Sequence, residues 1–204
     1  PLYFEENVLP PHSNHKYYGS EAELASGCSS FKYSLNGLWH IHVARNLAER
    51  PEGFEASDYD CHSWDTIAVP AHIQMEGYGK PHYTNTTYPW DGHEVIVPGE
   101  LPQENPVASY VKYFAVPEGW QDLRISFQGA ETALAVWLNG HFVGYSEDSF
   151  TPSDFDLTPY VQAGENKLAV QVFRFASGSW LEDQDFWRFS GLFRGVYLYT
   201  VPQI

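Results

Sequence analysis

Six residues with chemistry suited to a carbohydrate lie within positions 178–188. They are Trp180, Glu182, Asp183, Asp185, Trp187 and Arg188. Carboxylates accept hydroxyl protons in charge-assisted hydrogen bonds, and flat aromatic rings can lie against the apolar face of a pyranose. The same pattern is also typical of an acidic surface loop whose tryptophans turn into the core, so the residues alone leave both interpretations open.

A second polar segment, 83–89, reads Tyr-Thr-Asn-Thr-Thr-Tyr-Pro and places Asn85 near its centre. A side-chain amide donates one hydrogen bond and accepts another, which suits a polyol ligand. Asparagine is also a common turn former, and the residues around it favour turns. Asn85 is therefore a candidate contact or a turn residue.

The elements that must position these side chains are predicted to be short β-strands. The strand patterns cover 38–43, 66–69, 110–116, 122–127, 132–138, 141–145, 167–175 and 195–201, with Trp39 and Trp137 expected in the core. Asn139–Gly140, between two such runs, predicts a type I′ hairpin because both central residues need positive φ. Short strands joined by turns and a few long excursions predict an all-β, two-sheet sandwich of the jelly-roll kind.

Two regions lack a steady strand pattern. Residues 1–30 are expected to form an irregular arm lying on a jelly-roll domain of residues 31–204, with a helical turn that begins after Ser20 and a capping box completed by Glu23. Residues 71–109 form a long, proline-interrupted stretch. Loops of that length in a compact domain are usually functional or lie at an interface.

Composition narrows the class of partner. The formal net charge of −15 at pH 7 disfavours nucleic acid and anionic lipid, because no excess of Lys and Arg exists to displace counterions. The two cysteines, Cys28 and Cys61, do not make a disulfide framework and favour a reducing cytosol. No run approaches the roughly 20 apolar residues of a membrane helix. We therefore expect a cytoplasmic protein without nucleic-acid or membrane partners.

Seven motifs in a fixed order carry a family resemblance that extends from about residue 34 to residue 201. Besides the segments at 83–89 and 183–185, they lie at 104–106, 139–145, 152–157, 163–166 and 190–194. Together they closely resemble the N-terminal sugar-binding domain of the β-galactosidases of glycoside hydrolase family two. The resemblance implies the same jelly roll.

The resemblance also implies roles for single residues. It implies that Asn85 and Asp185 contact the galactosyl group and that Asp185 ligates a sodium ion shared with a barrel outside this chain. Asp183, Trp180 and Trp187 are then possible neighbours of the ligand. Some family members also carry magnesium, partly held by an N-terminal arm, so the resemblance implies sodium and magnesium in a full-length, bacterial cytoplasmic enzyme. This chain departs from that pattern, because its arm aligns poorly and positions 176–177 are Ala-Ser where an acidic residue is expected.

The expected reaction is hydrolysis of terminal β-D-galactosyl residues, with lactose-type substrates and retention of configuration. Retaining glycosidases need two carboxyl groups about 5–5.5 Å apart. The resemblance implies that both lie in a later (β/α)₈ barrel, so this chain alone is expected to be inactive and its parent to be a homo-oligomer. Two alternatives remain open: a stand-alone carbohydrate-binding module, or the same domain of a β-glucuronidase or β-mannosidase.

Overall fold

Two antiparallel sheets enclose the core in a computed structural model that describes residues 3–13, 16–182 and 185–202. The strands are β1 Glu5–Glu6, β2 Lys32–Ser34, β3 Gly37–Ala44, β4 Asp65–Val69, β5 His82–Thr84, β6 Val107–Ala115, β7 Arg124–Phe127, β8 Ala133–Leu138, β9 His141–Ser146, β10 Ser153–Asp156, β11 Glu165–Phe173, β12 Phe186–Arg188 and β13 Val196–Tyr199. The helices are α1 Glu21–Ser26 and the 3-10 turns Leu47–Glu49, Ile73–Glu76, Thr158–Tyr160 and Ser177–Trp180. The predicted all-β sandwich is confirmed.

The larger sheet has seven strands in the order β1-β9-β8-β11-β6-β3-β4, and the smaller has four in the order β10-β7-β13-β2. The inward residues of β11, Leu168, Val170 and Val172, join the main core together with residues of β7, β10 and β13. On the opposite face of β11, Ala169 packs in a second apolar cluster with Phe54. The larger sheet is therefore covered on both faces, which explains why β11 reads as an almost continuous apolar run.

Two predicted local features, the hairpin turn and the capping box, can be compared with the structure. Asn139 and Gly140 have φ of 52° and 83°, so both residues have the positive φ expected of a type I′ turn. Ser20 caps α1 by accepting from the Glu23 amide at 3.2 Å. The predicted capping box is wrong, because Glu23 Oε2 accepts from the amides of Gly19 and Ser30 at 2.8 and 3.1 Å and not from the Ser20 amide.

The two core tryptophans predicted from the sequence differ in burial. Trp39 is fully buried and its indole N–H donates to the Leu35 carbonyl at 2.8 Å. Trp137 was predicted to lie in the core, but it is only partly buried and packs against the second apolar cluster. It points to the outer face of the larger sheet, where its ring lies 6.2 Å from that of Phe54.

The N-terminal stretch is joined to the sandwich by its backbone and side chains. Strand β1 pairs with β9, with Glu5 opposite Ser146. The Asn7 amide donates to the Val143 carbonyl at 2.9 Å, and the Leu9 N–H donates to the Asp154 carbonyl at 2.8 Å. These contacts extend the larger sheet by one short edge strand.

Candidate functional site

A two-stranded ribbon, separate from both sheets, holds the candidate residues. It consists of β5 and β12, with Thr84 opposite Phe186 and Tyr83 opposite Trp187. Continuing this register by one residue puts Asn85 opposite Asp185, and both side chains are exposed. The ribbon therefore brings together the two residues for which the resemblance implied a sugar contact, although they are far apart in the sequence.

Tyr83 positions the carboxylate of Asp185. Its hydroxyl donates to Asp185 Oδ1, and this bond to a carboxylate raises the pKa of Tyr83. Asn85 is the first residue after β5, two positions along the chain from Tyr83. The Trp187 ring lies 5.4 Å from that of Tyr83 and supports it from the partner strand.

The ribbon is anchored to the sandwich by two buried arginines. The Arg188 guanidinium, with a side chain only 4% exposed, pairs with Glu182 Oε2 at 3.1 Å and donates to Thr84 Oγ1. Arg174 donates to the carbonyls of Arg188 and Lys80 at 2.7 and 2.9 Å. Arginine presents several N–H donors in one plane, so each anchor can hold more than one strand end.

Two other acidic residues of this region, Glu182 and Glu147, make structural contacts. Glu182 neutralises Arg188 and also accepts from the Ser149 hydroxyl at 3.0 Å, while burial raises its pKa. Asp183 lies outside the described residues. Sequence analysis missed Glu147, which accepts from the Ser177 hydroxyl at 2.8 Å and from the Gly178 amide at 2.9 Å. Glu147 thereby fixes the turn that leads into the ribbon.

Neither tryptophan of this segment lies in the core. Trp180 is 40% exposed, stacks on Trp90 at 5.1 Å with ring planes 26° apart, and contacts Tyr88 at 4.4 Å. Trp187 is 53% exposed. The alternative in which both rings turn into the core is therefore wrong, because both rings are exposed.

A cavity of about 330 Å³ lies between the ribbon and the end of the sandwich. Tyr83 and Asp185 line one part of it, and Glu131 and His72 line another. The Glu131 carboxyl is buried, and this burial, followed by the negative charge of Glu182, raises its pKa to about 7. Burial also lowers the pKa of His72. Glu131 is the only acidic residue among the mostly small or apolar residues 129–135, and this isolation is the sequence signal that could have identified it.

The family described as "Glycosyl hydrolases family 2, sugar binding domain" matches residues 32–202. A β-galactosidase of Halalkalibacterium halodurans is 58% identical over 98% of this chain, and one of Streptococcus thermophilus is 48% identical over all of it. The chain spans about a fifth of the length of these relatives, 20% in both cases.

Solved structures share the fold at lower identity. A Bacteroides uniformis β-glucuronidase aligns with a TM-score of 0.62 at 20% identity and covers 84% of this chain and 18% of that chain. A β-glycosidase from Bacteroides vulgatus aligns with a TM-score of 0.59 at 27% identity over 82% of this chain and 20% of its own. The architecture described above is thus found in larger glycoside-cleaving enzymes.

Proposed function

Because the chain belongs to the sugar-binding domain family of the family 2 glycosyl hydrolases, we propose that it is the N-terminal sugar-binding domain of a β-galactosidase. The parent polypeptide hydrolyses terminal β-D-galactosyl residues, with lactose-type substrates and retention of configuration. The relatives named β-galactosidase support this assignment, because they match over the full chain at 48–58% identity. The β-glucuronidase structures support the fold alone.

The observation that carries the proposal is the pairing of Thr84 with Phe186 at the end of the ribbon, because Asn85 follows the first of these residues and Asp185 precedes the second. An amide that donates and accepts, beside a carboxylate that accepts, matches adjacent hydroxyl groups of a sugar. Tyr83 fixes one carboxylate oxygen and so preorganises Asp185 for binding. In this proposal Asn85 and Asp185 contact the galactosyl group, while Trp180 and Trp187 present accessible rings beside it.

The bond-breaking carboxylates belong to another part of the polypeptide. Glu182 is committed to Arg188 and Ser149, and Glu131 is buried beneath the ribbon. A retaining mechanism needs a nucleophile and an acid/base about 5–5.5 Å apart on either side of the scissile bond. We place that pair in a (β/α)₈ barrel outside this chain, so the chain by itself is inactive and completes a galactose pocket.

We also propose that Asp185 contributes to a sodium site. A hard monovalent cation prefers oxygen ligands, and an exposed carboxylate beside an amide oxygen provides two of them. Among the residues in the described ranges, no group of three or more His, Cys, Asp or Glu is arranged to hold a metal ion. The remaining ligands must therefore be main-chain oxygens, water or groups from the barrel. No residue of this chain is assigned to magnesium.

The partners and location follow from the same proposal. The remaining domains of the polypeptide pack against this one, and the full-length enzyme forms a homo-oligomer. A cytoplasmic location is supported by the cysteines, since Cys28 is exposed, Cys61 is buried, and both are unpaired. Within the described residues, no helix combines the length and apolar character needed to cross a membrane.

The test uses the full-length polypeptide and a chromogenic aryl β-D-galactoside. Asp185→Asn removes a charge-assisted hydrogen bond and should lower kcat/KM roughly 30- to 150-fold, equivalent to about 2–3 kcal/mol. Asn85→Ala should lower it roughly tenfold. The matched control is Asp58→Asn, an exposed carboxylate near the opposite end of β11, which should leave kcat/KM unchanged. Wild-type activity in Asp185→Asn would overturn the proposed role.

Tyr83 is a positioning residue, so its effect should depend on Asp185. Tyr83→Phe should lower kcat/KM by roughly three- to tenfold in the wild-type background and have no further effect in Asp185→Asn. Equal losses in both backgrounds would mean that Tyr83 acts in another way.

Two further assays address the rival functions. Clear calorimetric binding of lactose to the isolated chain would favour a stand-alone binding module, and faster cleavage of a glucuronide or mannoside by the full-length polypeptide would favour those enzymes.

A further inference from the structure

The cavity beside Asp185 is walled by a continuous series of aromatic rings. Phe193 stacks on His72 at 5.0 Å with planes 6° apart and contacts Phe150 at 5.8 Å. Phe189 lies 4.7 Å from His72 and 6.4 Å from Trp187. The π-faces of such rings carry partial negative charge and attract cations.

The charged groups that line the cavity have one sign. Glu131 and Asp185 face it, and no lysine or arginine lines it in the described part of the chain. Arginines outside this lining have other partners. Arg188 pairs with Glu182, and Arg194 donates to the Phe150 carbonyl at 2.6 Å. Arg174, whose charge also acts on Glu131, donates to the carbonyls of Arg188 and Lys80. Two carboxylates set among ring faces favour a positively charged occupant.

At the base of the cavity the Glu131 carboxyl, which accepts from the Phe189 amide, lies beside a His72 nitrogen that has no partner within the described ranges. Glu131 Oε2 lies 3.8 Å from His72 Nδ1, too far for a hydrogen bond between them. The His72 Nδ1 atom is buried and has no hydrogen-bond partner among the described residues. Because burial lowers the pKa of His72, the neutral ring can present this nitrogen as an acceptor. A group with two or more N–H donors, placed between the two atoms, can donate to both.

We propose that this cavity is a binding site for a small organic cation of the primary alkylammonium class. The ammonium group donates to Glu131 and His72, and its alkyl chain lies against Phe189 and Phe193. Both features are needed, because a neutral alkane would leave the His72 nitrogen without a donor and a hydrated metal ion would not use the apolar walls. The site does not depend on the galactosidase proposal.

The charge state of Glu131 controls the affinity. The groups that act on it are Glu182, which raises its pKa, and Arg188, Arg174 and the Phe189 amide, which lower it, with His72 and Asp185 facing the same cavity. The cation binds the ionised carboxylate, whereas an alkylamine stays protonated below pH 9. Affinity should therefore be about tenfold higher at pH 8 than at pH 6, on either side of the Glu131 pKa of about 7.

The experiment titrates the chain with n-propylammonium chloride at constant ionic strength and follows the Trp187 indole resonance by NMR. We expect saturable binding with a Kd on the order of 1 mM, a value reasonable for four heavy atoms. Tetramethylammonium, which has no N–H donor, should bind several-fold more weakly, and neutral 1-propanol at least tenfold more weakly. Equal affinities for 1-propanol and n-propylammonium, or shifts that never saturate, would overturn the proposal.

Two variants and a matched control complete the test. Glu131→Gln should weaken n-propylammonium binding at least tenfold at pH 8 and abolish the difference between pH 6 and pH 8. Glu52→Gln removes the same charge from an exposed position in the 51–64 loop and should change nothing. If Glu131→Gln does not unfold cooperatively, Phe193→Leu serves instead. Because the alkyl chain lies against Phe193, this variant should bind n-propylammonium several-fold more weakly and keep the difference between pH 6 and pH 8. Binding of the cation unaffected by either variant would contradict the assigned site.

Discussion

At the scale of single residues, Glu131 should make stability depend on pH. Burial raises its pKa to about 7, whereas in the unfolded chain it titrates near 4.5. Between these values the folded state binds more protons than the unfolded state, so the free energy of unfolding falls as pH rises through this window. The full pKa shift corresponds to a fall of at most about 3 kcal/mol in the free energy of unfolding. The Phe189 amide, which donates to this carboxyl, acts in the opposite direction and lowers the pKa.

Glu131→Gln removes that dependence, since glutamine resembles the protonated acid in size and cannot ionise. We expect the variant to exceed wild type by about 2 kcal/mol at pH 8 and by less than 1 kcal/mol at pH 5. Urea unfolding of both proteins at the two pH values measures this, with Glu52→Gln as the control that should follow wild type. A stabilisation of the same size at both pH values would show that the Glu131 charge is not the cause.

Sequence reasoning identified some of these residues and not others for a physical reason. Asp185 and Asn85 stand out because their side-chain types suit a sugar and their motifs carry a family resemblance. Glu131 and His72 acquire their properties from burial and from each other, and they lie on separate segments that only the folded chain brings together. The residue type was visible, but the environment that changes its chemistry was not.

At the scale of elements, the ribbon could not be predicted from the sequence, whereas the long strands could. The long strands β6, β8 and β11 were predictable because alternation or continuous apolar character extends over six to nine residues. Strands β5 and β12 have three residues each, too few for a period, and are paired with each other across the sequence. The fold of the sandwich could therefore be predicted from patterns, whereas the element that positions Asn85 and Asp185 could not.

Gly191 holds the ribbon side of the sandwich close to its core. Its φ is +113°, its N–H donates to the Glu131 carbonyl at 3.0 Å, and an added Cβ would lie 2.8 Å from the Tyr110 hydroxyl and 3.0 Å from Ile73. A side chain here meets both backbone strain and a steric clash with buried atoms. The close approach of two segments at this point therefore requires glycine.

Gly191→Ala should lower the free energy of unfolding by about 3 kcal/mol, the sum of a left-handed backbone and overpacking. Gly53→Ala is the matched control, because Gly53 has φ of +73° and nothing within 4 Å of the added Cβ. It should lose only about 1 kcal/mol, from the backbone alone. Chemical unfolding of the three proteins compares them directly. Similar losses for both variants would show that the contacts with Tyr110 and Ile73 do not matter.

At the scale of the whole molecule, charge is the dominant unfavourable feature. The chain has 26 acidic residues against 11 lysines and arginines. Within the described residues, two of the three arginine–carboxylate pairs have both side chains at least one-third exposed, so these two contribute little to offset the repulsion. Part of the excess is concentrated at the ribbon end, where Asp148, Glu182 and Asp185 surround the candidate sites.

Screening this repulsion should stabilise the isolated chain. Raising NaCl from about 20 mM to about 500 mM shortens the Debye length to a few ångströms, and relief of about 1 kcal/mol would raise Tm by about 2–4 °C. KCl should have the same effect, because Asp185 alone does not form a complete site that selects sodium. Thermal unfolding in both salts at one pH measures the difference. A larger rise in NaCl would mean that the chain binds sodium without the barrel, and a fall in Tm with salt would mean that its ion pairs outweigh its repulsion.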